Sequence, residues 1–393
     1  MAREVVIVGA ARTPIGAFQG ALSSLTAPQL GAVAIKAALE RAGVKPDAVE
    51  EVLMGCVLQG GIGQAPARQA LRFAGLPDAV PATTVNKVCG SGLKAVIQAY
   101  QSIALGEIDV AVAGGMESMS NAPYFTHALR GGARMGNVEM KDLMIHDGLW
   151  DPYDNMHMGN CGELCAKERG ISRAAQDEYS VESTNRAIRA QKEGAFKNEI
   201  VAVSVPQKKG DPVVVSEDEG PKGAKPDKIP SLKPAFQKDG TVTAGNASSI
   251  NDGAAALVLM SADKAKAEGR TVLARIGGWA QAARKPVEFT IAPADAINKL
   301  MKQTKLNTGD VDLWEINEAF AVVAIANNQL LKLDHSRVNV RGGAVVLGHP
   351  IGASGARLVV TLLHALADAG KKRGVASLCI GGGEGIAMLV ERP

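Results

Sequence analysis

This chain matches itself. Cys89-Gly-Ser-Gly-Leu-Lys-Ala-Val96 aligns with Ile351-Gly-Ala-Ser-Gly-Ala-Arg-Leu-Val359 around a shared Ser-Gly and an apolar-periodic helix start. Asp109-Val-Ala-Val-Ala-Gly-Gly-Met-Glu-Ser118 aligns with Ala376-Ser-Leu-Cys-Ile-Gly-Gly-Gly-Glu-Gly385. The separations are nearly constant, 263 residues from Gly92 to Gly355 and 267 from Gly114 to Gly381. Glycine-rich strand-to-helix junctions look alike, so one match carries little. Two in the same order point to a duplicated α/β unit whose glycine-rich helix starts meet at a pseudo-twofold centre.

Hydropathy periods support the duplication. In the first half, Glu4–Val8, Glu51–Leu58, Thr83–Val85 and Asp109–Ala113 read as strands, and Ala27–Ala42 and Leu93–Leu105 as helices. In the last 120 residues the same alternation returns, with strands at Val272–Ile276, Val311–Ile316 and Ala376–Ile380 and helices at Pro293–Met301 and Ala356–Ala367. Between them, residues 119–250 break the pattern, with a Gly/Met/Arg-rich stretch at 131–137, a helix-like Arg173–Ala195 and a proline-rich run ending at Pro234. So long a loop-rich insertion reads as a lid, a binding surface or an oligomer contact. The expected division is 1–118 as the first part of the N-terminal half, 119–250 as a loop domain, 251–270 as the end of that half, and 271–393 as the C-terminal half.

Composition narrows the function. A net charge of +3 leaves no field to hold nucleic acid or an anionic membrane. No stretch supplies the roughly 18 uninterrupted apolar residues of a membrane span. The N-terminus enters a strand-like Val5–Val8 without a secretion signal, and five cysteines at irregular spacing argue against a disulfide framework. Both suggest a cytoplasmic protein, so the Asn246-Ala-Ser248 acceptor would meet no glycosylation machinery. No Walker A sequence is present and no complete G-x-G-x-x-G follows a strand, which weakens any nucleotide or nicotinamide reading.

Chemistry concentrates at the repeated glycine-rich loops. Cys89 precedes the helix from Leu93, where unpaired backbone N–H groups favour a thiolate nucleophile. A small buried hydrophobe is the other reading. His349, fixed before Pro350 in a glycine-rich turn, suits a base, and the repeat sets it opposite Cys89. Cys379 ends a strand before Gly381-Gly382-Gly383, where a thiol can act as acid or base and backbone amides as an oxyanion hole, although taken alone a core cysteine is slightly favoured. Asn317, in Asn317-Glu318-Ala319-Phe320, can hold a water or an oxyanion or serve as a helix cap. His157, Cys161 and Cys165 share one helical face, but Gly159 and Gly162 weaken a helix there and no fourth ligand is near, so no metal is expected.

With NKVCGSG, NEAF, GGAVVLGHPIGASGAR and SLCIGGG in this order, residues 4–391 resemble the thiolases, and within them the acetyl-CoA acetyltransferases. The resemblance implies two duplicated α/β halves in a layered αβαβα core, an inserted loop domain over the active site, and a homotetramer. It implies that Cys89 takes an acetyl group from acetyl-CoA, that His349 activates Cys89, and that Cys379 deprotonates a second acetyl-CoA to give acetoacetyl-CoA and coenzyme A. One oxyanion hole would use His349 and a water on Asn317, the other the N–H groups of Cys89 and Gly381. Coenzyme A contacts map onto Leu149, His157, Met158, Phe236, Ser248 and Phe320. Where many relatives carry an arginine, this chain reads Gly220-Pro-Lys-Gly-Ala-Lys225, so Lys222 or Lys225 would supply the charge without a guanidinium fork. The tyrosine that some relatives use for potassium is missing from this stretch, and no cofactor is expected. A degradative 3-ketoacyl-CoA thiolase of broader chain length is the runner-up. A catalytically inert scaffold would lack at least one of Cys89, His349 and Cys379, and all three are present.

Overall fold

The computed structural model describes residues 3–393. The first half runs β1 (Val5–Arg12), α1 (Ala27–Ala42), β2 (Glu51–Gly55), α2 (Pro66–Phe73), β3 (Ala82–Val85), α3 (Ser91–Leu105) and β4 (Val110–Ser118). The insertion contributes α4 (Met158–Arg169) and α5 (Arg173–Lys192), and β5 (Asn251–Ser261) then returns to the first half. The second half runs β6 (Ala274–Ala283), α6 (Ala292–Thr304), β7 (Leu313–Ile316), α7 (Ala321–Leu331), α8 (Ile351–Asp368), β8 (Arg373–Ile380) and β9 (Glu384–Glu391). Local chemistry sets α1: Thr26 and Gln29 form a capping box and Pro28 sits in the first turn.

The main strands follow the order β7-β8-β9-β6-β1-β5-β4-β2-β3, with a two-residue strand, Gly16–Ala17, on the end of β5. Each half contributes its own run, and a short antiparallel pairing of Val6 and Ile7 with Arg275 and Ala274 joins them. Alternate residues of each central strand face different layers. In β5, Ala255, Leu257 and Leu259 point to the middle of the molecule, while Ala254, Ala256, Val258 and Met260 point to α1 and α2. In β9, Ile386, Met388 and Val390 face the middle, and Ala387 and Leu389 face α6. Both faces of these strands are therefore buried, which gives their near-continuous apolar runs. The helices α3 and α8 fill the middle layer, α1 and α2 cover one outer face and α6 the other, a five-layer αβαβα arrangement.

A bulge between Ile7 and Gly9 in β1 recurs between Ile276 and Gly278 in β6, and it fixes the true register of the duplication. Past the bulges Gly9 pairs with Val258 and Gly278 with Leu389, and these partners pair in turn with Val112 and Val375. Val112 and Val375 are thus equivalent, 263 residues apart, the same separation as Gly92 and Gly355. The glycine run at Gly114 corresponds to Ser377, not Gly381. The second match read from the sequence is four residues out of register, because similar composition at the strand ends masked the ladder.

At the centre α3 crosses α8 closely. A Cβ on Gly92 would lie 2.9 Å from the Ala356 nitrogen, and one on Gly355 only 2.5 Å from the Leu93 nitrogen. Only glycine allows that approach. Among the described residues α8 is the one helix long and apolar enough to cross a membrane, but it is buried between the two sheets.

The insertion lies between the end of β4 at Ser118 and the start of β5 at Asn251. It does not act as a single cover, however. Val203 and Val205 pack into the first half's outer core beside α1 and α2, away from the cavity described next, whereas α4 and residues 236–250 border that cavity.

Candidate active site

The turn before α3 is built to present Cys89. Val88 adopts φ 45°, a costly conformation for a β-branched residue. Side chains hold it: Asn86 Oδ1 accepts the Val88 N–H at 3.0 Å, and Ser91 Oγ accepts the Lys87 N–H at 2.8 Å. The Ser91 hydroxyl donates to the Val88 carbonyl at 2.6 Å. The turn before α8 presents His349 in the same way. Gly348 takes φ +100°, and any Cβ there would strike the Asn251 side chain at 2.3 Å. Asn251 Oδ1 in turn accepts the His349 N–H at 2.9 Å.

Both turns open on one cavity of about 250 Å³ lined by Cys89, Leu149, His157, Met158, Phe236, Ser248, Phe320, His349 and Gly381, among others. Two further predicted residues stand behind its wall. Asn317 is fully buried, with its amide nitrogen 3.5 Å from His349 Nε2 and its Oδ1 without a partner. Cys379 is buried in the same cluster as Met158 and Phe320, close enough to Cys89 for a charge there to disfavour its own. His157 caps α4 by accepting the Gly159 N–H at 3.0 Å and stacks on Phe236 with ring centres 4.7 Å apart. Lys222 lines neither this cavity nor its neighbour. A second cavity meets the first at Ser249 and carries Lys225 and Lys228 on its wall.

The electrostatics correct one expectation. Burial pushes the Cys89 thiol up to about 11, although the backbone N–H groups of Gly381 and Cys89 itself pull it down. Cys89 lies two residues before α3 begins, and its burial outweighs the pull of those two N–H groups. The resting nucleophile is a thiol. Burial also lowers His349 to about 3, with the Arg357 charge acting the same way, so the imidazole is neutral at pH 7. The Cys379 thiol stands well above its ordinary value, first through burial and then through Cys89. The N–H groups that face the Cys89 sulfur are the pair expected to bind a tetrahedral oxyanion.

Cys161 and Cys165 pack in the apolar cluster around Phe320. Among the described residues no group of three or more His, Cys, Asp or Glu is gathered in a metal-binding arrangement. The sequence reading missed Glu117. Buried at the head of α8, it accepts the N–H groups of Val57 and Gly352 on Oε2 and that of Leu58 on Oε1. Burial raises it to about 7. Its place in the second repeat was the available signal. Phe289, which also lines the cavity, had none.

A thiol, an imidazole and paired backbone amides on one cavity, with a second thiol behind its wall, define a cysteine-dependent acyltransferase. The chain belongs to the thiolase family. Its residues 5–263 match the family's sequence profile described as "Thiolase, N-terminal domain" and residues 270–392 the one described as "Thiolase, C-terminal domain". It is 55% identical to the acetyl-CoA acetyltransferase of Cupriavidus necator, covering 99% of both chains. It is 52% identical to the mitochondrial acetyl-CoA acetyltransferase of Homo sapiens, over 99% of this chain and 91% of that one. The crystal structure of the Bacillus anthracis acetyl-CoA acetyltransferase superposes with a TM-score of 0.97 at 42% identity, covering 100% of this chain and 99% of the other.

Proposed function

We propose that this chain is an acetyl-CoA C-acetyltransferase, condensing two acetyl-CoA reversibly to acetoacetyl-CoA and free coenzyme A through an acetyl-cysteine at Cys89. The observation that carries the reading is the single cavity onto which Cys89, His349 and Gly381 open, with Cys379 and Asn317 directly behind it. The names of the relatives agree with it.

The residues account for each step. Because the Cys89 thiol is neutral at rest, His349 Nε2 takes its proton as the sulfur attacks the thioester, and Cys379 gives its own proton to the departing coenzyme A thiolate. The Gly381 and Cys89 amides receive the developing oxyanion. Cys379, left as its thiolate by that transfer, then takes a methyl proton from the second acetyl-CoA. A thiolate of raised basicity suits so weak a carbon acid. The proton now on His349 Nε2 and a water on the free Asn317 Oδ1 stabilise the enolate, whose carbon attacks the acetyl group. The Cys89 sulfur leaves and recovers its proton from His349, so that all three groups end as they began.

The apolar wall of Leu149, Met158 and Phe236 suits the pantetheine arm, and Lys225 and Lys228 on the adjoining cavity suit the coenzyme's phosphates. Phe236, Phe289 and Phe320 close the pocket around a short acyl chain. The same reading requires no metal or redox cofactor. It takes the enzyme to be cytoplasmic, in keeping with five free cysteines, and homotetrameric, in keeping with the exposed Tyr124, Leu129, Met135 and Tyr153 on the insertion.

Mass spectrometry after exposure to acetyl-CoA should find one acetyl group on Cys89. Thiolysis should favour acetoacetyl-CoA over 3-ketodecanoyl-CoA. An unmodified Cys89 would overturn the mechanism, and a preference for the longer substrate would overturn the short-chain assignment.

A further inference from the structure

We propose that Ser354 is a positioning residue for His349: its hydroxyl fixes the imidazole as the tautomer with its proton on Nδ1 and its lone pair on Nε2. The role of that lone pair rests on the mechanism above. Ser354 sits in the first turn of α8, at 1% exposure, so no water competes for its hydrogen bonds. Its Oγ lies 2.9 Å from the Pro350 carbonyl oxygen and 2.5 Å from His349 Nδ1. A hydroxyl has one proton, and a carbonyl oxygen can only accept. With the hydroxyl donating to Pro350, Oγ offers Nδ1 only lone pairs, so Nδ1 must carry the ring proton. The opposite tautomer would leave two oxygens facing each other at 2.9 Å with no proton between them. Asn317 agrees by presenting an amide nitrogen, a donor, to Nε2.

The duplication supplies an independent parallel. Ser91 is the counterpart of Ser354 in the first half, and its hydroxyl likewise donates to a carbonyl, that of Val88, while its oxygen accepts an N–H, that of Lys87. In α3 this pattern holds the backbone that carries the nucleophile. In α8 it has passed to the base's own ring. A neutral imidazole with a bare Nε2 is the form that can take a thiol proton, and the wrong tautomer presents an N–H there instead.

Nitrogen-15 NMR of ring-labelled enzyme tests this directly, with the His349 signals identified by their loss in His349→Asn. The native enzyme should show a protonated Nδ1 and a bare Nε2. In Ser354→Ala the proton should spread to Nε2, and kcat for acetoacetyl-CoA thiolysis should fall about 10- to 100-fold with KM unchanged. Ser354→Thr, which keeps the hydroxyl, should recover both the signature and kcat. A protonated Nε2 in the native enzyme overturns the proposal, as does a Ser354→Ala enzyme that keeps its kcat. Should Ser354→Ala not fold, the native spectrum alone decides. A native enzyme inactive on acetoacetyl-CoA would overturn the substrate reading while leaving the ring measurement valid.

Discussion

At the head of α3 the duplicated turn carries a sulfur that reaches the cavity, and at the head of α8 its counterpart carries an imidazole 5% exposed in the wall. The two turns are anchored by equivalent serines, yet they bear their strain differently. In the first half a β-branched residue, Val88, is forced to φ 45°; in the second a glycine, Gly348, takes φ +100°. The helices differ too, since α8 begins three residues earlier than α3 relative to the shared Ser-Gly. That extra turn brings the Gly352 N–H to Glu117. One copy of an ancestral turn thus presents a nucleophile to the cavity, and the other buries a base beside it.

Removing the sulfur that reaches the cavity should have the largest effect. Cys89→Ala should lower both condensation and thiolysis by on the order of 10⁶, read as steady-state rates. Removing the buried sulfur of the second half should separate the steps. Cys379→Ala should still accept an acetyl group on Cys89 while condensation falls about 10²- to 10⁴-fold. Equal loss of acylation in the two variants would erase the distinction between the halves. The neutral pair gives a third expectation. With the Cys89 thiol near 11 and His349 near 3, the thiolate fraction grows throughout the neutral range, so alkylation by iodoacetamide should rise about tenfold per pH unit from pH 7 to 9. A plateau near pH 7 would mean a preformed thiolate–imidazolium pair. The smallest effect belongs to the exposed lysines: Lys225→Ala with Lys228→Ala should raise KM for coenzyme A roughly two- to fivefold, less at high salt, and leave kcat alone.

Much of this was legible before any coordinates. The repeat announced two halves, and Ala27–Ala42 was readable to the residue because its caps and period agree. Cys89, His349 and Gly381 lie where the motifs set them, on one cavity. What escaped depended on tertiary closure. The return strand β5 is apolar on both faces and carries no period to announce it, and the match at Gly114 slipped because bulges in β1 and β6, not glycines, set the register. The helix-dipole argument for a thiolate failed because enclosure cannot be read along a chain. Lys222, Lys225 and Lys228 are equivalent in one dimension and separate only once the insertion folds.

The close crossing at Gly92 and Gly355 makes the reach from sulfur to imidazole a matter of helix packing instead of loop length. A single methyl group gained at either position would wedge the two catalytic turns apart, so drift in one half must be answered in the other. The halves of this molecule have diverged in chemistry while remaining bound to each other's backbone.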